Sequence, residues 1–230
     1  MATQDIRGNL DRVQAAIAAA CQRAGRSPGE VQLIAVSKTV EAARIREAIA
    51  AGVPALGENR VQEARAKIET LGRPVPWHLI GPLQTNKARD AVRLFDWIHS
   101  VDRIELAREL DRRAGALGRT VDVLIEVNLG EEPQKAGVRP QEIKPLLDAV
   151  VGLGGIRVRG LMAIPPIAED VEQARIPFRR LRELRDAVGL EHLSMGMSAD
   201  FEVAVEEGAT MVRVGTAIFG PRSAPPGQPS

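Results

Sequence analysis

The run Val31-Gln32-Leu33-Ile34-Ala35-Val36, followed at once by Ser37-Lys38-Thr39, has the length and composition of a buried strand. It gives way to a helical pattern over Glu41–Ala51, and then to a second strand-like run, Pro54–Gly57. That unit repeats to the end of the chain. Further apolar runs fall at Trp77–Ile80, Trp97–Val101, Val121–Val127, Ile156–Ile164, His192–Met195 and Met211–Val214. Helical patterns between them cover Arg60–Leu71, Asn86–Leu94, Arg103–Leu117, Pro140–Val151, Glu169–Val188 and Ala199–Glu207, and a last short one starts at Thr216 and reaches Phe219. Strands alternating with helices imply right-handed βαβ units and a parallel sheet. Eight such units in 230 residues predict a single closed (β/α)8 TIM barrel. The rival, an open doubly wound sheet, would normally have fewer strands and carry the G-x-G-x-x-G fingerprint. Gly152 and Gly154 are followed by Arg157 where the third glycine would stand, so the Gly152, Gly154, Gly155 cluster reads as a loop.

Outside the repeat lie two segments. Ile6 to Arg26 reads as an extra N-terminal amphipathic helix, with Leu10, Val13, Ile17, Cys21 and Ala24 on one stripe and Cys21 as a small core residue. Pro221 to Ser230 is Pro, Gly, Ser and Gln with little else, and reads as a disordered tail. The barrel domain is therefore expected over residues 1–220 and the tail over 221–230.

Composition narrows the chemistry. The chain has 31 basic and 30 acidic residues, so nothing in its charge calls for nucleic acid or an anionic membrane. One cysteine excludes an internal disulfide and a multi-cysteine metal site. With no signal pattern and no long apolar run, the sequence reads as soluble and cytoplasmic. The core must be aliphatic, because only four Phe and two Trp are present. There is no tyrosine, which closes any mechanism that needs a phenol from this chain.

In a barrel of this kind the working face lies at the C-terminal ends of the strands. Lys38 stands there after strand 1, in phase with Ile34 and Val36. If that face points inward, its amine is desolvated and can attack a carbonyl; otherwise it is a solvated lysine just past a strand. Arg213 lies between Val212 and Val214 in the last strand, where a guanidinium needs a partner. The partner is either a protein carboxylate, with Glu126 in strand 5 as one candidate, or a ligand acceptor. The loops after strands 7 and 8, Gly196-Met197-Ser198 and Gly215-Thr216, occupy the places where barrels frequently hold phosphate. Ser198 is also readable as an ordinary N-cap and Gly215 as a turn.

Other residues point to less. His78, His99 and His192 lack metal-ligand spacing, and His78 is the most favourably placed to meet a ligand. Neither H-E-x-x-H, a P-loop nor a G-x-S-x-G elbow is present. Arg179, Arg180, Arg182 and Arg185 read as a solvated helix face.

Leu33-Ile34-Ala35-Val36-Ser37-Lys38-Thr39 resembles the cofactor-lysine segment of the pyridoxal phosphate homeostasis protein family. Four more stretches match: Gly57-Glu58-Asn59-Arg60-Val61-Gln62-Glu63, Trp77 through Lys87, Ser194-Met195-Gly196-Met197-Ser198-Ala199-Asp200, and Val212 through Gly220. The resemblance runs from the first strand to Gly220. It implies a barrel like the alanine racemase N-terminal domain, without that enzyme's second, β-rich domain, and a monomer, since the missing domain dimerises the racemases.

The same resemblance implies pyridoxal 5'-phosphate (PLP) as ligand and no firm turnover. PLP would be held as a Schiff base on Lys38, with Arg213 facing the pyridine nitrogen. Ser198, Gly215 and Thr216 would cradle the phosphate, and Asn59 would flank the ligand at the mouth of strand 2. Apo PLP-dependent enzymes would receive the cofactor. The resembling racemases pair a lysine with a tyrosine, which this chain cannot supply, so a PLP-dependent racemase of low activity is the alternative. On the bare constellation a Schiff-base aldolase acting on a phosphorylated sugar also stays open. Lys135, in the loop after strand 5, is readable as a second amine for cofactor hand-off or as a solvated loop lysine.

Overall fold

A computed structural model describes residues 5–130, 132, 134–165 and 170–221; the Pro-rich tail from residue 222 onward lies outside the described residues. Eight parallel strands close on themselves in chain order. They are β1 (Gln32–Val36), β2 (Leu56–Glu58), β3 (Trp77–Leu79), β4 (Trp97–Val101), β5 (Val121–Glu126), β6 (Ile156–Met162), β7 (His192–Ser194) and β8 (Met211–Val214). The helices are α1 (Ile6–Arg23), α2 (Ala42–Ala51), α3 (Val61–Leu71), α4 (Ala88–Leu94), α5 (Ile104–Gly115), α6 (Ile143–Val150), α7 (Arg175–Ala187), α8 (Phe201–Glu206) and α9 (Thr216–Phe219). The predicted (β/α)8 barrel is therefore the observed one, and α1 precedes it.

Closure pairs β1 with β8, with Ile34 opposite Arg213 and Ala35 opposite Val214. Alternation along the strands sorts the core into two layers. The large aliphatic layer lies between sheet and helices, and contains Leu33, Leu56, Leu79, Ile98, Val123 and Leu193. The layer inside the barrel is small: Ile34, Ala55, Leu124, Met162 and Met211, with Trp97 against them. It is small because β3, β4, β7 and β8 turn His78, His99, Ser194 and Arg213 inward, all fully or nearly fully buried.

Helix α1 packs on α2, α8 and α9 across the closing seam. Leu10, Val13, Ile17 and Cys21 are buried as the stripe predicts, and truncating Leu10 or Ile17 to alanine would cost about 2–5 kcal/mol. The helix stops at Arg23, short of the predicted Arg26. Gly25 adopts φ 66° and Arg26 N–H donates to the Cys21 carbonyl at 2.8 Å, which closes the C-terminus and leaves Ala24 outside it.

The arginines of α7 do not form a plain solvated face. Arg179 and Arg182, with Arg175 beside them, converge on the Glu207 carboxylate at 3.0–3.2 Å. Glu207 is 4% exposed, and such a buried carboxylate requires cationic partners. Among the described residues Arg180 meets only the exposed Glu183 and keeps the expected character. Among the described residues no helix is long and apolar enough to cross a membrane.

Candidate functional site

At the C-terminal mouth of the barrel lies a cavity of about 270 Å³, close to the lower end of the ~300–1,000 Å³ usual for small-molecule sites. All six residues singled out from the sequence line it: Lys38, Asn59, Ser198, Arg213, Gly215 and Thr216. Apolar side chains, Val36, Ile80, Ile164 and Met197 among them, supply the rest of the wall. Sequence reading did not pick these out, because an apolar residue at a strand end looks the same whether it faces core or ligand.

Lys38 is not part of a strand. Strand β1 ends at Val36, and Lys38 and Thr39 form the corner of a turn closed by Val40 N–H donating to the Ser37 carbonyl at 3.0 Å. The side chain nevertheless shares the cavity with Val36, as the alternation predicts. Thr39 has φ 62°, the sole positive φ of a non-glycine among the described residues. For a β-branched residue this strain costs roughly 1–3 kcal/mol, so the surroundings must enforce it.

Arg213 is 3% exposed. It does not pair with Glu126 or any other carboxylate among the described residues. Its Nη1 donates to Ser194 Oγ at 2.6 Å and its Nη2 to the Ala163 carbonyl at 3.0 Å. Burial lowers the guanidinium to about 10, opposed by Asp200 and Glu126, so it stays charged at neutral pH. Glu126 is without an ion pair among the described residues, 8% exposed with Oε2 buried and unpartnered among them. Burial first, and Asp102 second, push its carboxyl up to about 7, against the pull of Arg213.

Behind Arg213 runs a chain of buried side chains. Ser194 Oγ lies 2.9 Å from His99 Nδ1, and His99 Nε2 lies 2.9 Å from His78 Nδ1. A guanidinium only donates, so the serine oxygen accepts from Arg213 and turns its own proton to His99 Nδ1. His99 then carries its proton on Nε2 and gives it to His78 Nδ1; the tautomers are assigned from this network. The opposite direction would leave the serine proton as well as the far histidine nitrogen without a partner. Burial keeps both rings neutral, His78 at about 3 and His99 well below its ordinary value. His78, the histidine expected to meet a ligand, therefore lies beneath the cavity, stacked on Trp97 at 5.8 Å.

Ser198 lies on the cavity wall, and its alternative reading as an N-cap fails. It does not cap the helix after β7, since α8 starts at Phe201 with Asp200 at its N-cap. Its Oγ reaches across to the next loop and accepts from Gly215 N–H at 3.2 Å and Ala217 N–H at 3.4 Å. The loops after β7 and β8 are thus tied together at the cavity wall. Gly196 makes that approach feasible: its φ is 88°, and a Cβ there would sit 2.5 Å from that of Ala204.

A second cavity adjoins the first at Ile164 and is lined by Glu126, Asn128 and Lys135 among others. Lys135 is ion-paired with Glu132 at 2.6 Å and is 42% exposed at the side chain. No group of three or more His, Cys, Asp or Glu suited to a metal ion occurs among the described residues.

The alanine racemase N-terminal domain family matches residues 8–223. The pyridoxal phosphate homeostasis protein of Aquifex aeolicus is 49% identical over 220 residues, covering 93% of this chain and 96% of that protein. Among solved structures, PipY of Synechococcus elongatus PCC7942 with PLP bound superposes with a TM-score of 0.84. It is 43% identical over 94% of this chain and 100% of its own. An alanine racemase from Clostridium difficile shares the fold at 16% identity and a TM-score of 0.69, with this chain covering 56% of it. The chain belongs to the pyridoxal phosphate homeostasis protein family, built on the alanine racemase N-terminal barrel.

Proposed function

We propose that this protein binds PLP for cofactor homeostasis, holding it as a Schiff base on Lys38 and exchanging it with apo PLP-dependent enzymes, as a cytoplasmic monomer. The observation that carries this reading is the convergence of one amine, one buried cation and one tied pair of loops on a cavity sized for a single small ligand. The donor set fits. Lys38 supplies the amine. Arg213, satisfied by neutral acceptors alone, keeps its charge for a ligand acceptor such as a ring nitrogen. Ser198 and Thr216 supply hydroxyl donors suited to a phosphate, and Gly215, with no side chain, lets the backbone approach it closely. Asn59 offers a polar contact at the rim.

When bound, PLP supplies an aldehyde that condenses with a primary amine and a ring that withdraws electrons. Arg213 disfavours protonation of that ring's nitrogen, which weakens the withdrawal and suits storage better than turnover. The absence of tyrosine removes a phenolic base, and loss of a positioned base typically costs about 10²–10⁴ in rate. One observation favours a second reading, weak racemisation of an amino acid. Glu126, held near neutrality beside the cavity, has the proton affinity of a general base.

Borohydride reduction followed by mass spectrometry tests the proposal. Wild type should carry one PLP adduct on Lys38, and Lys38→Ala should carry none. A wild type without an adduct overturns the reading, and a sugar adduct would instead mark an aldolase. A transfer assay to an apo-enzyme, beside a D/L amino-acid screen of the same sample, separates carrier from racemase. Lys135→Ala should slow release if Lys135 receives the cofactor in passing; normal release removes that role.

A further inference from the structure

Behind the turn that carries Lys38, on the helix side of the sheet, lies a cluster of charges that the ligand reading leaves unused. Lys67 on α3 is 9% exposed, and its ammonium has three acceptors: the Ser37 carbonyl at 2.6 Å, Glu58 Oε1 at 2.7 Å and Glu63 Oε1 at 2.7 Å. Those three bonds saturate the three N–H donors of a lysine. Glu58 is fully buried, and its Oε1 also accepts from Ser37 Oγ at 2.6 Å. Glu63 Oε1 also accepts from the Thr39 backbone N–H at 2.6 Å.

The placement of these bonds is what matters. The Ser37 carbonyl belongs to the peptide unit before Lys38, and the Thr39 N–H to the unit after it. One cluster therefore grips both peptide planes that flank Lys38. It also gives a reason for the strained φ of Thr39: the N–H that Glu63 holds is that residue's own.

We propose that Lys67, acting through Glu58 and Glu63, is a positioning residue that fixes the backbone of the Ser37–Val40 turn so that the Lys38 amine is presented to the ligand aldehyde. The inference rests on the Schiff-base reading of Lys38. Lys67 touches no ligand. Its work is on direction: a turn free to rotate about Lys38 would still bind the phosphate and the ring, and would lose the rate of covalent capture.

The experiment compares two probes on the full chain. Pyridoxine 5'-phosphate, an alcohol that cannot condense with an amine, reports the non-covalent cradle. PLP with timed borohydride quenching reports capture by Lys38. Lys67→Met should bind pyridoxine 5'-phosphate within about twofold of wild type and capture PLP about tenfold more slowly, one decade per 1.36 kcal/mol of lost alignment. Hydrogen exchange at the Thr39 and Val40 amides should accelerate in the same variant without ligand. Where Lys67→Met fails to fold, Glu63→Ala, at a position 27% exposed, tests the same grip through the Thr39 N–H alone. Capture at the wild-type rate by a folded variant overturns the inference while leaving Lys38 as the attachment point. Equal losses with both probes also overturn it, because the cluster would then be supporting the whole cavity. Absence of capture by wild type would instead break the reading beneath it.

Discussion

Arg213 reaches the cavity from β8 and Lys38 from the turn after the adjoining β1, and the protein holds them in opposite ways. Around Lys38 the support is ionic and lies outside the barrel, where Lys67, Glu58 and Glu63 meet between sheet and helix. Around Arg213 the support is neutral and lies inside the barrel, where a serine, a carbonyl and two uncharged imidazoles form the chain. An ion pair cancels its own field, so it suits a part whose task is mechanical. A buried guanidinium held by neutral groups keeps its field, at the cost of desolvation visible in its lowered proton affinity.

Four single substitutions, the first also paired with a rescue, probe that contrast from the largest effect to the smallest. Lys67→Met strands the Glu58 carboxylate in the core and should cost about 3–5 kcal/mol in urea unfolding. Adding Glu58→Gln should return most of that loss; failure to do so would mean the ionic side is not held by its charges. Glu126→Gln tests whether the interior rejects ionised groups. The folded Glu126 value of about 7 lies above the unfolded value, so the unfolded chain sheds its proton first. This carboxyl therefore erodes stability as pH rises from about 4 to about 7, with no further change above. The glutamine variant should be more stable than wild type by up to ~3 kcal/mol at pH 8 and equal to it near pH 4. Thermal unfolding at the two pH values decides.

Ser194→Ala leaves a donor of Arg213 and an acceptor of His99 unpaired in the barrel, and should cost about 1–3 kcal/mol with weaker binding of pyridoxine 5'-phosphate. Unchanged binding would show that the neutral chain does not orient Arg213. Thr39→Gly is the mildest. It relieves φ strain and adds unfolded-state entropy, so stability should move by less than about 1 kcal/mol by chemical denaturation. A larger loss would show that the Thr39 side chain, and not its N–H, is what the turn uses.

The fold was legible because its signal is periodic and local. Eight apolar runs between helical patterns leave few alternatives, and the observed strands fall inside the predicted runs except β2, which extends one residue further to Glu58. The cavity residues were legible because strand ends converge in a barrel, whichever loops join them. The partners were not. Ser194 and His99 are 95 residues apart, and only closure of the sheet brings them together. For Arg213 the sequence left a carboxylate and a ligand acceptor both open, because it offers no way to see that a serine hydroxyl and a backbone carbonyl hold the guanidinium. Lys67 sits four residues after Glu63, which reads as an ordinary surface pair on a helix. The Ser37 carbonyl and Glu58, which bury it, come from other elements. Arg179 and Arg182 misled for the same reason, since Glu207 comes after β7 and α8 in the chain.

The stacking of Trp97 on His78 has an optical consequence. With no tyrosine in the chain and only four weakly emitting Phe, near-ultraviolet emission is dominated by two indoles. Trp77 lies in the layer between sheet and helices, while Trp97 stands inside the barrel beneath the cavity. Three imidazoles touch it, His192 at 5.4 Å, His78 at 5.8 Å and His99 at 6.3 Å, and burial lowers the proton affinity of all three, so the emission of Trp97 should hold a steady baseline at and above neutral pH. The barrel thus contains its own fluorophore, placed where an absorbing guest would dim it.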